Sequence, residues 1–240
     1  MCYNNNINER YALEKKIKIL TLSDHPLSPS GVGSQTKYVC EALLNTGRYS
    51  IISLGGAIKH NDYSIRAVEP YEEDWKIVPV DGYGTKEMLR SVLRTEKPDM
   101  IWFMTDPRFW TWMWQIENEI RPLVPMIYYH VWDNYPVHMF NRKYYLSNDA
   151  IATISKVTDD IVAKAAPEVK RKYIPHAVNG EVFKPLTPEQ IKEVRKNSLH
   201  KEDQNKFIFF WNNRNARRKQ SGTLIWWFKE WLDKNNLHDK

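Results

Sequence analysis

The sequence predicts an α/β fold in which a parallel sheet is covered by helices on both faces. Short apolar runs bounded by charged or turn residues alternate with helix-like patterns along most of the chain. A Gly-rich turn follows the first apolar run and opens a helix, and a Pro-containing segment near residue 185 precedes a second series. Alternation of this kind is typical of parallel sheets. We therefore expect a Rossmann-like first domain and an incomplete second Rossmann-like domain.

The elements follow from these patterns in chain order. The predicted strands of the first domain cover residues 16–24, 50–54, 76–80, 99–105, 125–131, 150–155 and 172–178. The predicted helices cover 31–47, 84–98 and 155–167, the last with Ser155 as its N-cap. Two prolines in 183–190 place the domain boundary near 185, which gives domains 1–185 and 186–240. The second domain is predicted as a linker and one βα unit, with a strand at 205–213 and a helix at 221–234.

Composition indicates an ordinary globular protein. The chain has 240 residues, of which 42% are hydrophobic. It contains no apolar run near the roughly 18 residues of a membrane span, and its start is polar, so we expect a soluble, cytoplasmic protein. Cys2 and Cys40 lie far apart in sequence, which favours two free thiols over a metal site or a disulfide.

The positive charge is concentrated at one end of the sequence. Residues 191–240 hold 12 Lys and Arg against 6 Asp and Glu, whereas residues 1–190 hold 23 of each kind. Four of these cations, Arg214, Arg217, Arg218 and Lys219, lie within six residues after the apolar run "FIFFW". The paired N–H donors of arginine and the flexible ammonium group of lysine, placed at a strand end, can bind phosphate oxygens. We favour an anion site, with a solvated basic turn as the alternative.

Gly31 and Gly33 lie in the turn that opens the first helix. Free N–H groups and glycine at a helix N-terminus allow a phosphate to approach the backbone closely. "GVGSQT" matches the dinucleotide fingerprint only in part, because Thr36 occupies its third glycine position. A phosphate contact and a flexible loop capped by a helix both remain open.

Polar residues follow two further predicted strands. His130 and Asp133 lie at the carboxyl end of the strand at 125–131, where a histidine can do acid–base or orienting work, although a structural histidine is the alternative. Asp106 and Arg108 follow the strand at 99–105 as candidate acceptor contacts. A helix over 105–120 is predicted to bury Phe109, Met113, Ile116 and Ile120, with Trp110 and Trp114 packed on another face.

Five segments in order resemble the retaining glycosyltransferases of family 4, which have the GT-B architecture of two Rossmann-like domains facing across a cleft. These segments are "KIKILTLSD…SGVGSQTKYVCEALL", "YYHVWDNYP", "NDAIATISKVTDDI", "YIPHAVNGEVFKPL" and "NRNARRKQ". They are similar to the family's first strand and Gly loop, its His segment, its "D-x-I-x-x-S" strand, its "I-P-H-G-V" signature and its donor-phosphate loop. The resemblance runs along most of the chain.

The resemblance implies transfer of a sugar from a nucleotide-sugar donor with retained anomeric configuration, with no cofactor and no obligatory metal. Arg214, Arg218 and Lys219 would hold the donor diphosphate, with Gly31 and Gly33 approaching it. His130 would orient the transferred sugar, while Asp106, Arg108 and Asp133 would contact a glycan, lipid-linked or protein acceptor.

The family's glutamate pair on the second domain has no counterpart here, and Asn213 and Gln220 replace usual glycines. We therefore expect a truncated form or fragment with little transferase activity by itself. Its apolar last helix predicts one of four outcomes: packing on the first domain, a homo-oligomer, a partner chain that completes the second domain, or a poorly ordered unit. Peripheral membrane contact is left open.

Two other kinds of function are alternatives to a glycosyltransferase. A non-catalytic remnant would keep an acceptor or nucleotide site. A single-stranded nucleic-acid binder would use the basic last fifty residues with Trp211, Trp226 and Trp227 as stacking platforms, but leaves the first 185 residues unexplained. We therefore expect no nucleic-acid partner. A dehydrogenase is disfavoured because no suitable acidic residue ends "SIISLGG".

Overall fold

The computed structural model describes residues 15–132 and 134–238 and divides the chain into two compact units. The first unit ends at Ala177 and the second begins at Val178. This division lies N-terminal to the boundary that the sequence places near residue 185.

The first unit is built on one sheet of eight strands. In chain order these are β1 (Ile17–Asp24), β2 (Tyr49–Gly56), β3 (Arg66–Val68), β4 (Glu72–Pro79), β5 (Met100–Thr105), β6 (Met126–His130), β7 (Ala150–Thr153) and β8 (Arg171–Tyr173). They lie in the order β3-β4-β2-β1-β5-β6-β7-β8. Every neighbouring pair is parallel except β3 with β4. The predicted α/β class with a Rossmann-like parallel sheet is confirmed, and β3 is a strand that the sequence did not predict.

Helices in the first unit connect the strands. They are α1 (Gly31–Leu44), α2 (Lys86–Glu96), α3 (Thr111–Trp114), α4 (Glu117–Ile120), α5 (Arg142–Leu146) and α6 (Lys156–Ala165). Side-chain oxygens of Ser30, Thr85 and Ser155 accept backbone N–H groups at the starts of α1, α2 and α6. Each such cap satisfies a donor that the helix leaves without an intrahelical partner. The predicted N-cap at Ser155 is confirmed.

The sheet separates two hydrophobic cores. Because side chains alternate along a strand, Ile101 and Phe103 of β5 join one core, while Trp102 and Met104 join the other. Residues of α2, α4 and α6 line the first core, and residues of α1 line the second. Burial on both faces accounts for the continuous apolar run of β5.

The aromatic segment after β5 is not a single helix. It begins with a 3₁₀ turn, Pro107–Phe109, and continues as α3 and α4. Trp110 and Trp114 are buried, whereas Phe109 is 42% exposed. The prediction that Phe109 faces the core is therefore wrong, while the prediction that both tryptophans pack is confirmed. The break at Trp110, whose φ is −108°, rotates the turns that follow out of the expected phase.

The second unit contains two longer helices, α7 (Pro188–Ser198) and α8 (Ser221–Asn235), and two short 3₁₀ turns. The predicted strand at 205–213 is wrong, because residues 207–216 have no regular secondary structure. A strand needs a neighbour to pair its backbone groups, and the described part of this unit offers none. None of the described residues in 178–238 is buried.

Candidate substrate site at the carboxyl edge of the sheet

The direction in which successive strands are added to the sheet reverses at β1, since β2 lies on one side of β1 and β5 lies on the other. In open α/β sheets, ligands bind outside the carboxyl ends of the strands at such a reversal. β1 ends at Asp24, β5 at Thr105 and β6 at His130. Polar residues at the ends of three neighbouring strands therefore lie along this edge.

Asp24 is held by hydroxyl groups from two loops. Ser30 donates to one carboxylate oxygen at 2.7 Å, and Tyr83 donates to the other at 2.8 Å. Ser30 also accepts the N–H of Gly33 at 2.9 Å, so the start of α1 is tied to Asp24. Burial and then the bond to Asp24 raise the pKa of Tyr83, which therefore stays a neutral donor at physiological pH.

The two predicted phosphate glycines lie at the start of α1 but have different surroundings. A Cβ added to Gly33 would lie 2.5 Å from Ser28 Oγ and 2.6 Å from the His25 carbonyl oxygen. A Cβ added to Gly31 would meet no atom within 4 Å. Gly33 therefore allows the preceding loop to pack on the helix, and Gly31 alone of the two leaves open space for a ligand.

This contrast gives a stability prediction. Gly33→Ala should lower the free energy of unfolding by about 1–3 kcal/mol, because the backbone at His25 cannot move without distorting the loop. Urea denaturation of both variants measures the effect, with Gly31→Ala as the matched control. The control should match the native chain or be slightly more stable. Equal losses in the two variants would contradict this explanation.

Thr105 carries backbone strain at the end of β5. Its φ is 135°, a value that a β-branched residue rarely adopts. Its carbonyl oxygen accepts the buried hydroxyl of Tyr128 at 2.6 Å. Strain of this kind costs about 1–3 kcal/mol and clusters at functional sites. It favours this edge of the sheet as the site.

The predicted acceptor contacts Asp106 and Arg108 bind each other. Asp106 Oδ1 accepts Arg108 Nε at 2.8 Å, and Oδ2 accepts Nη2 at 2.9 Å. The Arg108 side chain is 77% exposed and that of Asp106 is 21% exposed. A ligand that binds either group must therefore compete with this two-bond pair. Asp133, the third predicted contact, lies outside the described residues.

His130 is completely buried at the end of β6. Its Nε2 lies 2.9 Å from the hydroxyl of Tyr145, and its Nδ1 has no hydrogen-bond partner among the described residues. Burial lowers the pKa of His130 to about 3, so the ring is neutral at physiological pH. A base this weak fits hydrogen-bond orientation of a substrate better than proton transfer.

The predicted anion site lies in the second unit. Arg217, Arg218 and Lys219 form a 3₁₀ turn directly before α8. Arg214 and Arg218 are exposed, and Lys219 is half-buried. In the described part of the chain, none of the side chains of these four cations forms an ion pair or hydrogen bond. Like charges this close repel each other, and a bound anion would relieve the repulsion.

A groove at the opposite edge of the sheet contains none of the predicted site residues. Its volume is about 610 Å³, and it lies beside the starts of β5 and β6. Leu93, Pro98, Ile120 and Leu123 provide its apolar lining, with Arg94 at its side.

Sequence reasoning missed several residues of the carboxyl edge. Asp24 gave a signal, because it ends the first apolar run, but Tyr83 lies 59 residues away in sequence. The loop of Tyr83 is shaped by Gly82 and Gly84, whose φ angles are 56° and 89°. No spacing pattern in the sequence connects Tyr83 to Asp24 or Tyr145 to His130.

No protein-family model matches the chain, and a search of curated proteins found no relative. No helix in the described residues is both long and apolar enough to cross a membrane. Among residues 15–132 and 134–238, no three His, Cys, Asp or Glu side chains are grouped to hold a metal ion.

Proposed function

We propose that this chain is the acceptor-side domain and part of the donor side of a retaining glycosyltransferase of the GT-B type. The reaction would move a sugar from a nucleotide-sugar to a glycan, lipid-linked or protein acceptor. One observation carries the proposal: polar and strained groups end three neighbouring strands at the reversal point of the sheet. The resemblance of five ordered sequence segments to family 4 supplies the reaction class.

Each predicted residue has a role in this proposal. Arg214, Arg218 and Lys219 bind the donor diphosphate, since their charges have no partner in the described chain. Within the first unit, Gly31 leaves open space in which a phosphate could approach the backbone at the N-terminus of α1. His130 orients the transferred sugar as a neutral hydrogen-bonding group.

Contacts with the sugar acceptor would come from the carboxyl ends of β1 and β5. Asp106 and Arg108 offer a carboxylate and a guanidinium to acceptor hydroxyl or phosphate groups once their mutual pair opens. Asp24, which the sequence analysis did not single out, is a further candidate contact for the sugar acceptor. It lies at the end of β1, where the strand order reverses.

Binding of nucleotide-sugars tests the donor role. Calorimetric titration should show binding of at least one nucleoside-diphosphate sugar by the native chain. The variant Arg214→Ala/Arg218→Ala/Lys219→Ala should bind at least about tenfold more weakly, because each charged hydrogen bond contributes about 1.5–3 kcal/mol. The control Lys192→Ala/Lys196→Ala/Lys201→Ala removes the same charge elsewhere in the second unit and should bind normally. Equal weakening in both variants would mean that binding depends on net charge alone.

A non-catalytic binding role is the second candidate. It is favoured by the second unit, in which no described residue is buried, so the described part of this unit has no hydrophobic core of its own. We expect the 240-residue chain alone to transfer little or no sugar. Robust transfer from a labelled nucleotide-sugar by this chain would contradict that expectation.

Exposed apolar side chains support the expected association with a second copy or a partner chain. Those of the second unit include Phe207, Phe209, Phe210, Trp211, Ile225, Trp226 and Trp227. Large exposed apolar surfaces are typical of interaction sites. Sedimentation of the purified chain separates the two cases, because only self-association produces a concentration-dependent oligomer without a partner.

A further inference from the structure

We propose that Tyr145 positions His130 by fixing its tautomer, so that the ring proton lies on Nδ1. His130 would then present an N–H donor, and not a lone pair, beside the carboxyl end of β6. The inference deepens the proposed function and rests on it for the identity of the ligand. The tautomer itself is a property of the free chain.

The hydrogen bonds around Tyr145 determine this assignment. Asn141 Nδ2 donates to the Tyr145 hydroxyl oxygen at 3.5 Å, and His130 Nε2 lies 2.9 Å from the same oxygen. An amide NH₂ group can only donate, so the single hydroxyl hydrogen of Tyr145 is left for another acceptor. Among the described residues, that acceptor is His130 Nε2. A neutral imidazole that accepts at Nε2 carries its proton on Nδ1.

All three residues are held firmly enough to maintain one arrangement. His130 and Tyr145 are 0% exposed, and Asn141 is 1% exposed. Tyr128 lies against His130 with ring centroids 4.8 Å apart, and Trp132 is nearly parallel to it at 6.5 Å. Because no charged side chain among residues 15–132 and 134–238 forms a hydrogen bond with the ring, the bond to Tyr145 is the interaction that selects between its two neutral forms.

The donor that results has no protein acceptor. His130 Nδ1 and Trp132 Nε1 are both buried without a hydrogen-bond partner among the described residues. An unpaired buried donor costs about 1–3 kcal/mol, so two neighbouring ones point to a ligand that supplies oxygen acceptors. The hydroxyl oxygens of a sugar have that chemistry.

Long-range ¹H–¹⁵N correlation NMR of the ¹⁵N-labelled chain measures the tautomer directly. The resonances of His130 are identified by their loss in His130→Gln. At neutral pH the native chain should show a protonated Nδ1 and an unprotonated Nε2. In Tyr145→Phe the proton should lie on Nε2 in most molecules, because imidazole without this partner favours that form.

Two further variants complete the test. Tyr144→Phe removes a hydroxyl from the neighbouring position of α5 and should leave the Nδ1–H form unchanged. Asn141→Ala should raise the Nε2–H fraction, since the Tyr145 oxygen is then free to accept, and it serves if Tyr145→Phe fails to fold. Two results would overturn the assignment. One is an Nε2–H ring in the native chain, and the other is an unchanged tautomer in both Tyr145→Phe and Asn141→Ala.

The outcome is independent of the proposed function. An Nδ1–H ring in a chain that binds no nucleotide-sugar would refute the glycosyltransferase proposal and leave the role of Tyr145 intact. An Nε2–H ring in a chain that does bind would refute the role of Tyr145 alone.

Discussion

Phe103→Ala should lower the free energy of unfolding by about 3–5 kcal/mol, the range for a fully buried aromatic side chain. Phe103 is 0% exposed at the centre of the core that α2, α4 and α6 cover. Its ring stacks on Tyr128 with centroids 4.8 Å apart, and it meets the edges of Trp110 and Trp114 at 5.5 and 6.0 Å. Removing the ring leaves a cavity between three large aromatic side chains, which cannot collapse without changing all their contacts. Urea denaturation measures the loss.

Phe109→Ala is the matched control for Phe103, because it removes the same side chain from the same unit. Phe109 is 42% exposed and contacts Tyr83 at 4.5 Å between ring centroids. We expect a loss of about 1 kcal/mol or less, since much of its surface already faces water. If the two variants lost equal stability, the assignment of Phe103 to the core and Phe109 to the surface would be wrong.

The second large effect is a loss of stability in acid that depends on His130. The pKa of His130 is lowered from 6.5 to about 3 by burial. Below about pH 6.5 the unfolded chain binds a proton at this residue that the folded chain does not bind, so acid favours unfolding. His130 makes its full contribution to the free energy of unfolding above pH 6.5. This contribution decreases by about 1.4 kcal/mol per pH unit as the pH falls from 6.5 toward 3.

Denaturation at pH 7 and pH 5 measures this contribution. When the pH is lowered from 7 to 5, the free energy of unfolding of His130→Gln should fall by about 2 kcal/mol less than that of the native chain. The reason is that glutamine cannot take up a proton. His200→Gln, at an exposed position of the second unit, controls for the loss of a histidine as such. Identical pH dependence in the native chain and in His130→Gln would contradict the burial of a neutral His130.

Local patterns were sufficient to predict the architecture of the first unit. The continuous apolar run of β5 and the cap at Ser155 are each readable within a few residues, because strand burial and helix capping are local properties. The short antiparallel strand β3 carries no such pattern. It forms because β4 offers it an edge, which only the assembled sheet provides.

The site could be predicted only in part. The ends of β5 and β6 gave Asp106 and His130 as candidates, since parallel strands bring their carboxyl ends to one edge. Their chemistry depends on contacts that the sequence does not contain. The neutral state of His130 follows from complete burial, and the contact of Asp24 with Tyr83 joins the end of β1 to the loop before α2.

The strand predicted at 205–213 shows where local pattern misleads. Its apolar composition suits a central strand, but a central strand needs two neighbours to pair its backbone groups. Residues 207–216 have no regular secondary structure in the described second unit. The cations that follow are readable from sequence alone, because their proximity needs only the turn of residues 217–219.

The central claim is the proposal that the cations before α8 bind the diphosphate of a nucleotide-sugar. Amide chemical-shift mapping during titration with a nucleoside-diphosphate sugar tests it most directly. We predict the largest shifts at residues 214–221, and much smaller shifts when the uncharged nucleoside replaces the diphosphate sugar. Shifts confined to the groove around Leu93 and Leu123, or no shifts at millimolar ligand, would contradict the claim.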